Sequence, residues 1–201
     1  MKGNFLYRVL NKMGEIWHRF KTRLWYAPFF GAIGRKAVLR NPLFIENPGH
    51  IFIGAGVFIR DHARLEAVGN GRIEIGHHSS LEQGAHIISG ENLYIGGNVT
   101  ISYDVMITNI DHEYQEIDVH ILRQPYLIKP TRIGDNCFIG AGAKIQAGTI
   151  LGRQCIVGSN AVVRGTFPDY SVLVGVPARV VKRYNLESGC WQKTKADGSV
   201  M

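Results

Sequence analysis

The sequence predicts an all-β fold: a solenoid of about six triangular coils of short parallel strands, with an amphipathic helix in front and one long excursion loop. Three observations carry this. An aliphatic residue recurs every six positions through Ile133, Ile139, Ile145, Leu151, Val157 and Val163, usually with glycine next. The same phase runs through the earlier chain in sets of three. One step, of 26 positions from Ile107 to Ile133, is far larger than the rest. A six-residue period is too long for a helix face and is a multiple of the strand period, so it describes short strands joined by tight corners.

Residues 1–30 do not follow this period. Leu6, Val9, Leu10, Met13, Ile16, Trp17, Phe20 and Leu24 keep 3–4 spacing, with Arg8, Lys12, Glu15 and Arg19 opposite. That pattern predicts an amphipathic helix, broken around Tyr26-Ala27-Pro28. Two roles stay open for it. It can dock on the first coil and cover an open strand edge, or residues 1–25 can lie in a membrane surface, cations toward anionic lipid and Trp/Phe inward.

Residues 31–183 form the solenoid domain. Ile33, Leu39 and Ile45 make the first coil; Ile53, Ile59 and Leu65 the second; Ile75, Leu81 and Ile87 the third; Ile95, Ile101 and Ile107 the fourth. The two sets from Ile133 and Leu151 complete six. The aliphatic side chains are expected inside. The glycine that follows is expected to supply positive φ at the corner, and the small residues Cys137, Ala143, Thr149, Cys155 and Ala161 to fit where the walls converge. The excursion loop covers 108–131; a solenoid does not need such a loop for stability, and long loops are often functional. The segment 184–201 is a C-terminal tail, polar from Glu187 and expected to be poorly ordered.

Composition narrows the function. Of the net charge of +7, residues 1–40 carry nine Lys/Arg against Glu15 alone, so the rest of the chain is nearly neutral. A nucleic-acid partner would need a basic stripe on the main body, and none is expected. The three cysteines show no motif spacing; Cys137 and Cys155 occupy the same interior position one coil apart and read as buried thiols. No signal peptide or membrane-spanning stretch is recognisable, so the chain reads as cytoplasmic.

The hexads, Asp111-His112-Glu113 at the loop entry, Ile133-Gly-Asp-Asn136 and Gly175-Val-Pro-Ala-Arg179-Val-Val-Lys182 together resemble the hexapeptide-repeat acyltransferases over about residues 70–184. The branch it resembles contains maltose, galactoside and nodulation-factor O-acetyltransferases and polysaccharide-modifying acetyltransferases. The resemblance implies a left-handed parallel β-helix, acetyl-CoA as co-substrate, transfer to a sugar hydroxyl and a homotrimer with its site between neighbours. It implies His112 as general base: imidazole, with a pKa of about 6.5, can take the proton of a hydroxyl attacking a thioester. Either Asp111 or Glu113 could orient it, or both could be solvated acids. Ala141, Ser159 and Arg164 are implied along the pantetheine groove, with Arg179 and Lys182 near the nucleotide phosphates. On the acceptor side Glu82 and Ser89 align with sugar-binding positions but carry different residues, and His86, Tyr103 and Tyr114 are further cleft candidates. The acceptor expected is a sugar, nucleotide- or lipid-linked, on the way to a cell-surface polysaccharide. Two alternatives stay open: N-acetylation of an amino sugar, and a metal enzyme of the γ-carbonic-anhydrase type. No metal ligand set can be assembled from the histidines.

Overall fold

Sixteen of the eighteen phased aliphatic residues are buried, and only Ile33 and Ile45 of the first coil are partly open. In this computed structural model, which describes residues 2–195 (backbone only for 2–7 and 11), they form one continuous column. Each aliphatic belongs to a short strand that pairs in parallel with its equivalent one coil away, as Ile101 does with Leu81 and Ile139. Three sheets result. The first face has seven strands, from Ala32–Ile33 to Thr166–Phe167; the second runs from Val38–Leu39 to Ser171–Gly175; the third has six, from Phe44–Glu46 to Val162–Val163. Six full coils and a partial seventh make the β-helix. Cys137, Ala143, Thr149, Cys155 and Ala161 are buried at the converging walls, where the Cys137 Sγ accepts the Cys155 N–H at 3.3 Å.

The glycines directly after the phased aliphatic residues serve a different purpose from the one expected. Gly76, after Ile75, does not have positive φ. It is required because coils meet there backbone to backbone: a Cβ would lie 2.4 Å from the Gly96 carbonyl carbon and 2.5 Å from the Gly97 nitrogen. Positive φ falls two residues later, at His78, Asn98, Asn136 and Gln154 on this corner and at His62, Asp104 and Asn160 on the next. Gly76→Ala is therefore expected to cost about 1–3 kcal/mol, because backbone cannot move aside as a flexible side chain would. A shift in the denaturant midpoint measures it, and an unchanged midpoint would refute the close-approach reading.

The N-terminal segment is an α-helix, α1 (Lys2–Lys21), followed by a π-helical turn, Thr22–Tyr26. The turn covers the open edge of the first coil. The buried Thr22 hydroxyl accepts the Leu39 N–H at 2.9 Å, and Arg23 donates to the carbonyl of Ile33. Phe30 enters the core, with Tyr26 packed against it. The apolar residues of α1 from Val9 to Phe20 stay exposed, and the side chain of Leu6 lies outside the described residues. Among the described residues no helix is long and apolar enough to cross a membrane.

The C-terminal segment corrects the expectation for Glu187 onward. Ala178–Asn185 folds back antiparallel on Ser171–Gly175, and Cys190–Lys193 pairs antiparallel with it. Tyr184 and Trp191 are directly opposite, their rings 5.5 Å apart edge to face. Such a cross-strand aromatic pair stabilises a ribbon that polar composition alone would not. Residues 196–201 of the tail lie outside the described residues.

Candidate active site

The excursion after the fourth coil begins as a hairpin. Ile110–His112 pairs antiparallel with Tyr126–Ile128, His112 opposite Tyr126. Its root is polar and buried. Asn109 accepts the Gly90 N–H at 2.8 Å and donates to the Ser89 hydroxyl at 3.2 Å, while Thr131 donates to the Thr108 carbonyl at 3.0 Å. Farther out Gln124 closes the loop on itself, donating to the carbonyls of Glu116 and Val119 and accepting the Glu116 N–H. The strands thus hold the hairpin at the corner between the third and first faces.

His112 is half-buried, its imidazole edge-on to the Tyr126 ring with centroids 5.0 Å apart. Its Nδ1 is buried and has no hydrogen-bond partner among the described residues. Asp111 accepts the backbone N–H of His112 at 3.1 Å rather than touching the ring. The other carboxylate oxygen accepts from Arg164 Nη2 at 2.8 Å, with Lys129 Nζ at 3.7 Å. Burial pushes the Asp111 carboxyl upward, but the His112 N–H and the Arg164 and Lys129 cations outweigh it and hold the carboxyl below the usual range. These contacts tie the hairpin to the sixth coil.

Because the folded carboxyl titrates below its ordinary value of about 3.9, the pairing stabilises the hairpin fully above that value. The stabilisation is lost as pH falls through the lower folded value. Arg164→Met is expected to move Asp111 back toward the ordinary value and to loosen the hairpin by about 0.2–1 kcal/mol, the pair being partly exposed. Amide exchange at Glu113, whose N–H bonds the Pro125 carbonyl at 3.1 Å, should accelerate; unchanged exchange would deny the tether.

The remaining candidates divide between two corners. With His112 at the third-to-first corner are Arg164 and Ser89. Ser89 is fully buried, its hydroxyl donating to the Arg72 carbonyl and accepting from Asn109. It therefore braces the loop root, and the expectation that it meets an acceptor is corrected. Glu82, Tyr103, Ala141 and Ser159 follow strands of the second face and line the second-to-third corner. Here Glu82 pairs with Arg60 at 2.5 Å, and the Asn160 N–H bonds the Ala141 carbonyl at 2.8 Å. Arg179 and Lys182 are exposed on the strand that extends the second face, opposite Val174 and Val172. His86 faces outward on the third sheet, bonded to Glu66 at 2.7 Å, and Tyr114 is exposed on the loop. One prism does not bring Glu82, Ala141 and Ser159 to His112.

Asn109, Lys129 and Gln124 were not singled out by sequence. Only Asn109 left a signal, standing two residues after Ile107, where Ser89 follows Ile87.

Six-residue repeats thus build a parallel β-helix that is interrupted by a hairpin carrying His112. The family model "Bacterial transferase hexapeptide (six repeats)" matches residues 130–165. The putative lipopolysaccharide biosynthesis O-acetyl transferase WbbJ of Escherichia coli K12 is 32% identical over 165 residues, 78% of this chain and 83% of WbbJ. The probable acetyltransferase Rv3034c of Mycobacterium tuberculosis is 36% identical over 174 residues, 79% of this chain but 57% of that longer protein. The fold is shared with AntD, a Bacillus cereus N-acyltransferase crystallised with dTDP and 3-hydroxybutyryl-CoA, at TM-score 0.69 and 21% identity over 80% of this chain and 87% of AntD. The chain belongs to the hexapeptide-repeat transferases.

Proposed function

We propose that the protein transfers acetyl from acetyl-CoA to a sugar hydroxyl in the building of a cell-surface polysaccharide, with His112 as general base. The observation that carries this is the placement of His112, on a braced hairpin that departs from the prism at one corner. The imidazole accepts the acceptor's proton as its oxygen attacks the thioester carbonyl. The tetrahedral intermediate collapses, the C–S bond breaks, and the imidazolium returns the proton to the departing CoA thiolate. A backbone N–H near the carbonyl stabilises the oxyanion.

The working unit is a homotrimer. Glu82, Ala141 and Ser159 lie on a different corner from His112, so His112 of one copy meets the Glu82 corner of the next. Small and accessible residues at Ala141 and Ser159 admit an extended pantetheine arm, and the exposed Arg179 and Lys182 meet CoA phosphates as paired cations. Arg164 acts near the thioester end, holding Asp111 beside His112. Glu82 receives the acceptor's hydroxyls.

O-transfer is supported by WbbJ, whose name couples O-acetylation to lipopolysaccharide biosynthesis. Acetyl-CoA and nucleotide-linked sugars as substrates fit a cytoplasmic location. Incubation with labelled acetyl-CoA and a panel of nucleotide- and lipid-linked sugars tests the proposal. An alkali-labile acetyl ester on a sugar is expected. An alkali-stable amide on an amino sugar would replace O- by N-transfer, and no labelled sugar from any acceptor class would overturn the reading.

A further inference from the structure

The exposed stripe of α1 is a feature that the proposed acetyl transfer does not use. Met13, Ile16, Trp17, Phe20, Leu24 and Trp25 are each 54–66% exposed along one side of the helix and its π-helical continuation. Scattered exposed apolar residues are ordinary, but a contiguous aromatic-rich stripe marks a surface that is covered in use. The prism does not cover it. The segment is anchored elsewhere, by Thr22 on Leu39, Arg23 on Ile33 and Lys21 on Asn41. On the prism side an open cleft of about 650 Å³ separates the helix from the second face, lined by Arg19, Lys36, Arg40 and Arg60.

Charge decides what covers the stripe. Arg8, Lys12 and Arg19 are exposed on the polar side of the helix, away from the stripe, Glu15 is the one acid within residues 1–40, and Arg35 and Lys36 extend the positive region onto the first coil. A second copy laid face to face would bring two such cationic segments together. A bilayer with anionic headgroups offers apolar depth for the rings and negative charge for the cations, which is what an in-plane amphipathic helix requires.

We propose that α1 and the following turn seat the protein on an anionic membrane surface, with the apolar stripe in the acyl boundary and the cations at the headgroups. The Thr22 hydroxyl and the Phe30 plug fix the helix to the first coil, so the prism is carried at a set orientation to the bilayer. The inference is independent of the acceptor and of the chemistry at His112.

The test is flotation of the full-length protein with vesicles of phosphatidylcholine alone or with phosphatidylglycerol. Binding to the mixed vesicles is expected to exceed that to neutral ones by on the order of tenfold or more at low salt and to fall with added salt. In a Trp191→Phe background, fluorescence from Trp17 and Trp25 should shift to the blue on binding. Ile16→Glu with Phe20→Glu, both exposed and neither bonded to the Thr22 hydroxyl, should abolish flotation while leaving thermal unfolding unchanged. Equal binding to neutral and anionic vesicles, or none to either, overturns the proposal. So does a fall in oligomer mass of the double variant in lipid-free buffer, which would assign the stripe to a second copy.

Discussion

His112→Ala is expected to slow acetyl transfer by about 10²–10⁴-fold, the range a positioned general base contributes. The imidazole lies outside the aliphatic column, and its contact is the edge of Tyr126. Its loss should therefore leave the unfolding transition near that of the unmodified protein. The loss should appear in kcat rather than in acetyl-CoA binding, because the CoA contacts proposed above lie on the other corner. A folded variant with near-normal turnover would remove His112 from the chemistry without disturbing the β-helix.

The largest stability effect is expected from the column itself. Ile101 is fully buried in the fourth coil, in register with Leu81 below and Ile139 above. Ile101→Ala removes buried methyl groups and leaves a cavity that two stacked coils cannot easily fill, at a cost of about 2–5 kcal/mol. The fourth coil also launches the His112 hairpin, so activity should fail at a lower denaturant concentration in step with structure. Ile45→Ala, on a partly open side chain of the first coil, should cost less. Equal costs at the two positions would contradict the burial gradient from end coil to middle coil.

The contrast between what was and was not legible follows from the physics of a coil. One aliphatic residue per short strand decides which side faces inward, so Ile53, Leu81 and Ile107 announce the column in the sequence alone. The requirement for glycine at position 76 leaves no trace along one coil, because close approach of Gly96 is a relation between coils. The Asp111–Arg164 pair spans 53 residues and depends on how the fourth and sixth coils stack after the loop. Ser89 matched an acceptor position by alignment, yet Asn109 one coil on turns its hydroxyl into the loop root. The strand at Cys190–Lys193 was hidden by polar neighbours, since only Trp191 opposite Tyr184 signals it. Periodicity in α1 was readable, but whether its apolar side met the prism depended on Thr22, a single hydroxyl on an open strand edge.

The claim that binds fold to function is that His112 of one copy works against the Ala141–Ser159 corner of the next. Two inactive variants, His112→Ala and Ser159→Trp, can be unfolded together, refolded as a mixture and assayed for transfer. Random assembly of a cyclic trimer should restore about one quarter of the unmodified activity, because each site then draws its two halves from different chains. A mixture no more active than its parents would mean that each chain builds its own site, and the shared-corner arrangement would be wrong.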